Sequence, residues 1–188
     1  MGAATTVIPY ERQTDAGSNR DCGAACLSMV YRSLGKKVEQ AEIWPAIAKQ
    51  NHFGSIASTT HLMAKDALNR GFSAVAFQAC HPLQALRLCC EAGVRTILNH
   101  RLTHDSPQGH YTVLVDVDLR DVVLHDPLYG PSRHVPHDEA REDEPGDGHH
   151  DLLADGRRVE PRPRLRCGRA HRCRSSSGGP RGPSARTT

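Results

Sequence analysis

The chain has 188 residues and a formal net charge of +3, so it can form one domain with a substantial core, and its charge is too small to indicate a nucleic-acid-binding protein. Its seven cysteines, an odd number, lack the spacing of a disulfide framework. Cysteines without such a framework favour a reducing compartment, and we expect a cytoplasmic protein. No apolar run approaches the ~18 residues of a membrane span, and the N-terminus lacks a signal-peptide pattern.

The first seventy residues predict a lead-in and three helices. An extended lead-in of polar turn formers covers residues 1 to about 20. From residue 22 to residue 34, apolar and small side chains recur at helical spacing, and Gly35 suits the left-handed conformation that often ends a helix. A second helix is predicted over residues 38–50, and a third from a Ser or Thr cap to residue 69.

The pattern then changes to short strands that alternate with one more helix. This helix is predicted over residues 82–90, with Pro82 in the first turn, where its missing N–H matters little. The segments with strand character are residues 72–79, 94–98, 111–117 and 122–125. Because helices come first and a mostly antiparallel sheet follows, the sequence predicts an α+β fold.

The chain changes character after about residue 137, which predicts a domain over residues 1–137 and a tail over residues 138–188. The tail is first acidic and rich in Gly and His, then rich in Arg, Ser, Gly and Pro. Such a composition cannot bury enough apolar surface to offset the entropy of ordering, so we expect a disordered, low-complexity tail. The abruptness of the change also suggests the hypothesis of a frame-shifted end.

No metal or other cofactor is expected. Cys167, His171 and Cys173 in the tail superficially resemble zinc ligands, but no fourth ligand lies at a suitable spacing.

Cys22 is the first candidate for a catalytic residue, because it stands at the start of the first predicted helix. A helix N-terminus favours negative charge, and the thiolate is the nucleophilic form of cysteine. The backbone N–H of Cys22 could also stabilise an oxyanion, and Gly23 would let a substrate approach without a side chain in the way. Cys26, one turn later, is expected to pack in the core. Without further residues, Cys22 would be interpreted as an ordinary buried cysteine.

His110 and Asp126 are the candidates for the base and the group that orients it. His110 opens one predicted strand and Asp126 ends the next, with a turn at Leu119-Arg120 between them. If Asp126 lies opposite Thr112, it is a diagonal neighbour of His110, and a hydrogen bond between them is within reach. If Asp126 lies opposite Val113, the two side chains point to different faces of the sheet. The strand register therefore tests this pair.

Four further histidines compete with His110 for the role of base: His100, His104, His125 and His134. For each of them a structural or solvent-facing role is the ordinary interpretation. Only His110 combines a position in a strand with a preceding glycine.

A side-chain amide upstream of the thiol could donate a hydrogen bond to the oxyanion. Gln13 is the candidate, although it could equally be a polar loop residue, and Asn19 is closer in sequence but lies among turn formers.

Together these residues resemble the C39-like peptidases of the papain-like cysteine protease clan. The resemblance covers residues of about 10 to 136 and is carried by Gln13, by Asp21-Cys22-Gly23-Ala24-Ala25 with Leu27 and Met29, by Gly109-His110-Tyr111, and by Asp126-Pro127 with Gly130. It implies a papain-like α+β fold in which N-terminal helices pack on the sheet. The segment between Gln13 and Cys22 is longer than the family usually has.

The resemblance also implies a function. Cys22 would be the nucleophile, His110 the general base and acid, Asp126 the orienting residue and Gln13 the oxyanion donor of a cysteine peptidase that forms an acyl-enzyme. Some family members are fused to transporters and cut leader peptides after a double glycine. This chain has no transporter segment in the sequence given, so a stand-alone enzyme acting on a peptide or protein is expected.

Other functions remain open at this stage. An acyltransferase would use the same triad, and a papain-like domain could bind peptides without cutting them. A frame-shifted end would leave an inactive product, and the Arg-rich tail could bind nucleic acid, although no nucleic-acid partner is expected.

Overall fold

The computed structural model describes residues 7–14, 20–50, 54–101 and 109–138, together with the backbone of residues 151–155. Within these ranges the helices are α1 (Cys22–Ser33), α2 (Gln40–Ile47), α3 (Thr60–Asn69) and α4 (Pro82–Glu91). The strands are β1 (Ala48–Gln50), β2 (Ile56–Ser58), β3 (Ala74–Gln78), β4 (Arg95–Arg101), β5 (Gly109–Val117), β6 (Asp121–Asp126), β7 (Gly130–Pro136) and β8 (Asp151–Asp155). The α+β prediction is confirmed.

The main sheet has six strands in the order β3-β8-β4-β5-β6-β7, and every neighbouring pair is antiparallel. A separate two-stranded sheet pairs β1 with β2. The predicted strands β3 to β6 are all present, with ends that differ from the prediction by a few residues. None of the helices among the described residues has the length and apolar character that crossing a membrane requires.

Two clusters of buried side chains form the core, one on each face of the sheet. Successive residues of β5 show this, because Val113 belongs to the first cluster and Leu114 to the second. The first cluster takes its helical members from α1, α2 and α3, including Leu27, Ile43 and Met63. The second cluster packs Leu86 of α4 against the other face. Helix α1 is therefore held between its neighbouring helices and the strand that carries His110.

The second helix is shorter than predicted, because it ends at Ile47 and not at residue 50. Residues 48–50 form strand β1 instead, in which Ala48 pairs with Ser58. Ala48 has an extended conformation, with ψ of 131°. The polar Lys49 and Gln50 do not continue the apolar stripe of the helix, whereas pairing with β2 supplies backbone partners that an extra helical turn would lack.

Strand β7 was not predicted, because prolines at positions 131 and 136 argue against a strand in the sequence. The structure places β7 at the edge of the sheet, where proline is tolerated because the outward side of the strand needs no ladder hydrogen bond.

Strand β8 (Asp151–Asp155) lies inside the segment predicted to be a disordered tail, so the sheet extends past residue 137, where the sequence analysis ended the domain. The backbone of β8 pairs with β3 on one side and β4 on the other. Its apolar run of only three residues, Leu152-Leu153-Ala154, was obscured by the polar composition around it. The remainder of the predicted tail from residue 139, including Cys167, His171 and Cys173, lies outside the described residues.

Candidate active site

Cys22 is the first residue of α1, as the sequence predicted, and its side chain is almost fully buried, with 3% exposed. The backbone N–H groups of Tyr111 and Gly23 donate hydrogen bonds toward the thiol. Tyr111 directly follows His110 at the start of β5. The candidate nucleophile therefore lies against the strand that carries the candidate base.

The pKa of the Cys22 thiol is raised to about 11. Burial is the largest cause, because it disfavours the thiolate, and the negative charges of Asp21 and Asp126 raise the pKa further. The hydrogen bonds from Tyr111 and Gly23 lower it but do not compensate. At neutral pH the thiol would therefore keep its proton unless a nearby base accepts it.

His110 and Asp126 are brought together by the strand register. Val113 of β5 pairs with His125 of β6, and continuation of this register puts Asp126 opposite Thr112. His110 then lies one diagonal step from Asp126 on the same face of the sheet. Nε2 of His110 is 2.9 Å from Oδ1 of Asp126, and neither side chain is exposed. The alternative register, in which Asp126 would face Val113, does not occur.

Asp126 accepts hydrogen bonds from four directions. Besides His110, Oδ1 accepts from the backbone N–H groups of Leu128 at 2.9 Å and Tyr129 at 3.0 Å. Oδ2 accepts from Nη1 of Arg133 at 2.7 Å. Burial by itself would raise the pKa of Asp126, but the hydrogen bond and charge of His110 and the two backbone N–H groups hold that pKa well below its usual range. Asp126 is therefore a carboxylate at neutral pH.

The protonation pattern of His110 follows from its contact with this carboxylate. An ionised carboxylate can only accept a hydrogen bond, so Nε2 of His110 carries the hydrogen. In the neutral ring Nδ1 is then the proton acceptor. Nδ1 is buried and has no hydrogen-bond partner within the described part of the chain. His110 therefore presents a free lone pair suited to a general base.

The competing histidines have other roles where they are described. His125 is buried, donates from Nε2 to the carbonyl of Ile8 at 3.0 Å, and accepts at Nδ1 from the N–H of Ser132 at 3.1 Å. His100 lies beside His110, with ring centroids 5.5 Å apart in an edge contact. His134 is exposed and pairs with Asp121. His104 lies outside the described residues. Among the described histidines, His110 is the one that is hydrogen-bonded to Asp126.

Gln13 is buried beside the same turn, with 3% of its surface exposed. Its backbone N–H donates to the carbonyl of Pro127 at 3.0 Å, directly after Asp126. This contact fixes Gln13 next to the β6–β7 turn, although nine positions separate it from Cys22 in the sequence. Asn19, the alternative amide, lies outside the described residues.

Gly23 corrects one detail of the sequence analysis. A Cβ atom at this position would lie 2.6 Å from Oγ and 2.7 Å from Cβ of Ser58, and 3.1 Å from Sδ of Met63. Gly23 is itself buried. The space beside it is therefore filled by β2 and α3 and is not left open for substrate. Cys26 is fully buried, which confirms its predicted packing role.

Arg133 is a residue of the site that the sequence analysis missed. It lies on β7, which was not recognised as a strand, so no register linked it to Asp126. The available signal in the sequence was a cationic residue a few positions after Asp126-Pro127.

One group within the described residues could hold a metal ion: the side chains of Asp118, Asp121 and His134, whose ligand atoms lie within 4.8 Å of one another. Asp118 and Asp121 lie at the β5–β6 turn, at the opposite end of β6 from Asp126, and His134 lies beside them on β7; Asp118 and His134 are exposed. Exposed acidic groups of this kind are common without a metal, so the group has no evident part in the site around Cys22.

Comparison with solved structures identifies several similar folds. A protein of Bacillus anthracis described as a candidate C39-like peptidase has a TM-score of 0.64 at 18% identity, covering 82% of this chain and 97% of that one. A double-glycine-motif protease from an AMS/PCAT transporter, solved with the leader peptide, has a TM-score of 0.59 at 19% identity, covering 81% and 94%. The peptidase domain of Streptococcus ComA, a bifunctional ABC transporter of a quorum-sensing pathway, has a TM-score of 0.60 at 18% identity, covering 80% and 100%.

These likenesses show a shared papain-like fold. No curated protein matches this chain. The family model described as "Peptidase C39 family" matches residues 8–138, which include Gln13, Cys22, His110 and Asp126. The chain therefore belongs to the peptidase C39 family.

Proposed function

We propose that this protein is a cysteine peptidase that hydrolyses a peptide bond through Cys22, His110 and Asp126. The observation that carries the proposal is the buried hydrogen bond between Nε2 of His110 and Oδ1 of Asp126. The residue after His110 on the same strand, Tyr111, donates its backbone N–H to the Cys22 thiol. This arrangement supplies a nucleophile, a base with a free lone pair and a carboxylate that fixes the orientation of the base. Membership of the C39 family supports the same chemistry.

The proposed reaction begins with transfer of the thiol proton of Cys22 to Nδ1 of His110. Because burial raises the pKa of Cys22 to about 11, the thiolate exists at neutral pH only if the imidazolium that forms beside it is stabilised. Asp126 provides this stabilisation through Nε2 of His110. The sulfur then attacks the carbonyl carbon, and His110 returns its proton to the leaving amine as the C–N bond breaks. Water hydrolyses the thioester with His110 as base.

The tetrahedral intermediate needs donors for its oxyanion. We assign this role to the backbone N–H of Cys22 at the start of α1 and to the side-chain amide of Gln13. The position of Gln13 supports the assignment, because its backbone is fixed to Pro127 beside Asp126 and its side chain is buried.

The proposed substrate is a peptide or an extended segment of a protein. One structural neighbour is a double-glycine-motif protease solved with a leader peptide, which supports a peptide as the class of ligand.

The first test is alkylation by limiting iodoacetamide between pH 5 and pH 9, with each modified cysteine mapped by mass spectrometry. Cys90 is a matched internal control, because burial also raises its pKa to about 11, and Asp116 and Cys89 raise it further. If His110 activates Cys22, Cys22 reacts below pH 8 whereas Cys90 does not. In His110→Ala, Cys22 should become as unreactive as Cys90. Equal reactivity of the two cysteines in the unmodified protein would overturn the proposal.

The second test is activity toward a peptide library, with new termini identified by mass spectrometry. Cys22→Ala should lower turnover by roughly 10³-fold or more, as for other nucleophile knockouts. Cys90→Ala is the matched control and should retain activity. Addition of a primary amine distinguishes hydrolysis from acyl transfer, since an acyltransferase would give mainly the aminolysis product. Cleavage that persists in Cys22→Ala would contradict the assignment.

A further inference from the structure

The start of β7 has an irregular register that determines which residue reaches Asp126. Leu124 pairs with Arg133, but Asp126 pairs with Gly130, so three steps along β7 match two steps along β6. The extra residue forms a bulge, in which Ser132 has a φ of 50° and Gly130 a φ of 132°. A bulge of this kind redirects side chains near a site.

The register puts Arg133 on the same face as Asp126. Cross-strand partners share a face, so Arg133 shares that of Leu124, and Asp126, two residues after Leu124, lies on it too. Nη1 of Arg133 is 2.7 Å from Oδ2 of Asp126. The guanidinium also stacks over the ring of Tyr129, 5.0 Å from its centroid, which limits its freedom.

The two oxygens of Asp126 therefore have different partners. Oδ1 contacts His110 and the backbone N–H groups of the turn, whereas Oδ2 contacts Arg133. Since Asp126 is fully buried, its charge is felt strongly by His110 and Cys22 unless a cation offsets it. Arg133 is such a cation, in direct contact with the carboxylate and 41% exposed on its outer side.

Other ionisable groups also contribute to the electrostatic field around Asp126 and Arg133. Burial raises the pKa of Tyr10, Arg12 opposes this shift and Asp126 adds to it, so the lead-in also faces the carboxylate. Within the described parts of the chain, further titratable groups interact with Asp126, His110 or Cys22: Asp21 acts on Cys22, Asp126 acts on Cys22 and Cys26, and His100 of β4 and Tyr129 of the turn lie beside His110. A substitution of Arg133 leaves the electrostatic effects of these groups in the lead-in, α1, β4 and the turn unchanged.

We propose that Arg133 is a positioning residue, which holds Asp126 toward His110 and limits how strongly the Asp126 charge acts on His110 and Cys22. The inference rests on the proposed function. Removal of this positive charge makes proton loss harder for both the thiol and the imidazolium. The pH range in which the thiolate–imidazolium pair exists therefore moves upward at both ends when Arg133 is neutralised.

The test compares Arg133→Gln, which removes the charge but keeps an N–H donor, with Arg133→Lys, which keeps the charge. Arg87→Gln on the exposed surface of α4 is the matched control. The pH profile of Cys22 alkylation is measured without substrate, and that of kcat/KM with it. We expect Arg133→Gln to shift both limbs of the profile upward by about half a pH unit, while Arg133→Lys and Arg87→Gln keep the original profile.

The outcomes separate this inference from the proposed function. If Cys22 reactivity depends on His110 but Arg133→Gln leaves the profile unchanged, the role of Arg133 is refuted and the proposed function stands. If Cys22 is alkylated equally fast in the unmodified protein and in His110→Ala, the proposed function itself is refuted. An Arg133→Lys profile that moves as far as that of Arg133→Gln would also refute a role of the charge. This comparison remains decisive when Arg133→Gln folds poorly, because a shift in a folded Arg133→Lys protein contradicts the inference.

Discussion

Thr14 donates two hydrogen bonds to Asp21, one from its backbone N–H at 3.0 Å to Oδ2 and one from its hydroxyl to the same oxygen. These contacts join the two ends of the segment that separates Gln13 from Cys22. Gln40 of α2 supports the arrangement, since it accepts from the Thr14 N–H and donates to the carbonyl of Arg12. The longer spacing of this chain is therefore compatible with Gln13 and Cys22 belonging to one site.

Substitution of Asp21 should separate two effects that this residue combines. Asp21→Ala removes the contact with Thr14, so we expect Gln13 to lose its position and kcat to fall about tenfold or more. The same change removes a negative charge that raises the pKa of Cys22, so alkylation of Cys22 should extend to lower pH. Asp21→Asn keeps an acceptor oxygen and should shift the alkylation profile while retaining most of kcat. Equal loss of kcat in both variants would contradict the positional argument.

Substitution of Gln13 tests the oxyanion assignment directly. Gln13→Ala should lower kcat by about 10²–10³-fold with little change in KM, because the amide would act mainly in the transition state. Alkylation of Cys22 by iodoacetamide forms no oxyanion, so its rate and pH profile should match those of the unmodified protein. This measurement is the control for a displaced thiol. A proportional loss of alkylation and peptide cleavage would show that Gln13 supports the fold and not the oxyanion.

The fold was predictable from the sequence where local patterns determine it. The spacing of Cys26, Met29 and Val30 predicts a helix that buries them, and α1 does bury them. The alternation of β5 and the turn after it predict two paired strands but leave two registers open, and an irregularity between Leu114 and Asp116 selects the register that joins His110 to Asp126. The turn itself is stabilised by Asp118, whose carboxylate accepts from the N–H groups of Arg120 and Asp121, but the register at the turn, if continued without the irregularity, would put Asp126 opposite Val113.

The rest was not predictable because it depends on contacts between distant segments. Strand β8 is placed by the unpaired edges of β3 and β4, which no pattern within residues 151–155 reveals. Arg133 reaches Asp126 because β7 carries a bulge, and the bulge follows from backbone conformations at Gly130 and Ser132 that sequence periodicity does not encode. The packing role of Gly23 likewise depends on Ser58, a residue of another element.

Substitution of Asp126 should affect stability and activity together. The pKa of Asp126 is lower in the folded protein than in the unfolded chain, where it is about 3.9. The ionised group therefore stabilises the fold above about pH 4, and this stabilisation is lost as the pH falls through the lower, folded value. Asp126→Asn should lower the free energy of unfolding by about 2 kcal/mol at pH 7, since it weakens the hydrogen bonds that the buried carboxylate accepts from His110 and from the N–H groups of Leu128 and Tyr129.

The activity of Asp126→Asn should fall by about 10²–10⁴-fold, because an amide can donate to Nε2 and so favour the wrong tautomer of His110. Denaturant unfolding at pH 7 and pH 3 measures the stability difference, which should shrink at the lower pH. A difference in stability that is the same at both pH values would contradict the linkage. Retention of full activity would contradict the orienting role.

Substitution of Gly23 tests whether packing explains this glycine beside Cys22. Gly23→Ala puts a Cβ atom 2.7 Å from Cβ of Ser58, which no side-chain rotation of Ser58 can relieve. We expect the free energy of unfolding to fall by about 1–3 kcal/mol, as for other overpacked sites, and Cys22 alkylation to slow as α1 shifts. Urea unfolding and the alkylation rate measure the two effects.

A second substitution, at Ser58, should restore the stability of Gly23→Ala only if it removes the Cβ atom that causes the clash. Ser58→Gly removes that Cβ, so the double variant Gly23→Ala/Ser58→Gly should recover most of the stability lost through the clash, beyond what the sum of the single changes predicts. Ser58→Ala keeps the Cβ atom and should give much less recovery. If Ser58→Ala restores Gly23→Ala as well as Ser58→Gly does, the clash with Cβ is not the reason for glycine here. A stable and fully reactive Gly23→Ala protein would lead to the same conclusion.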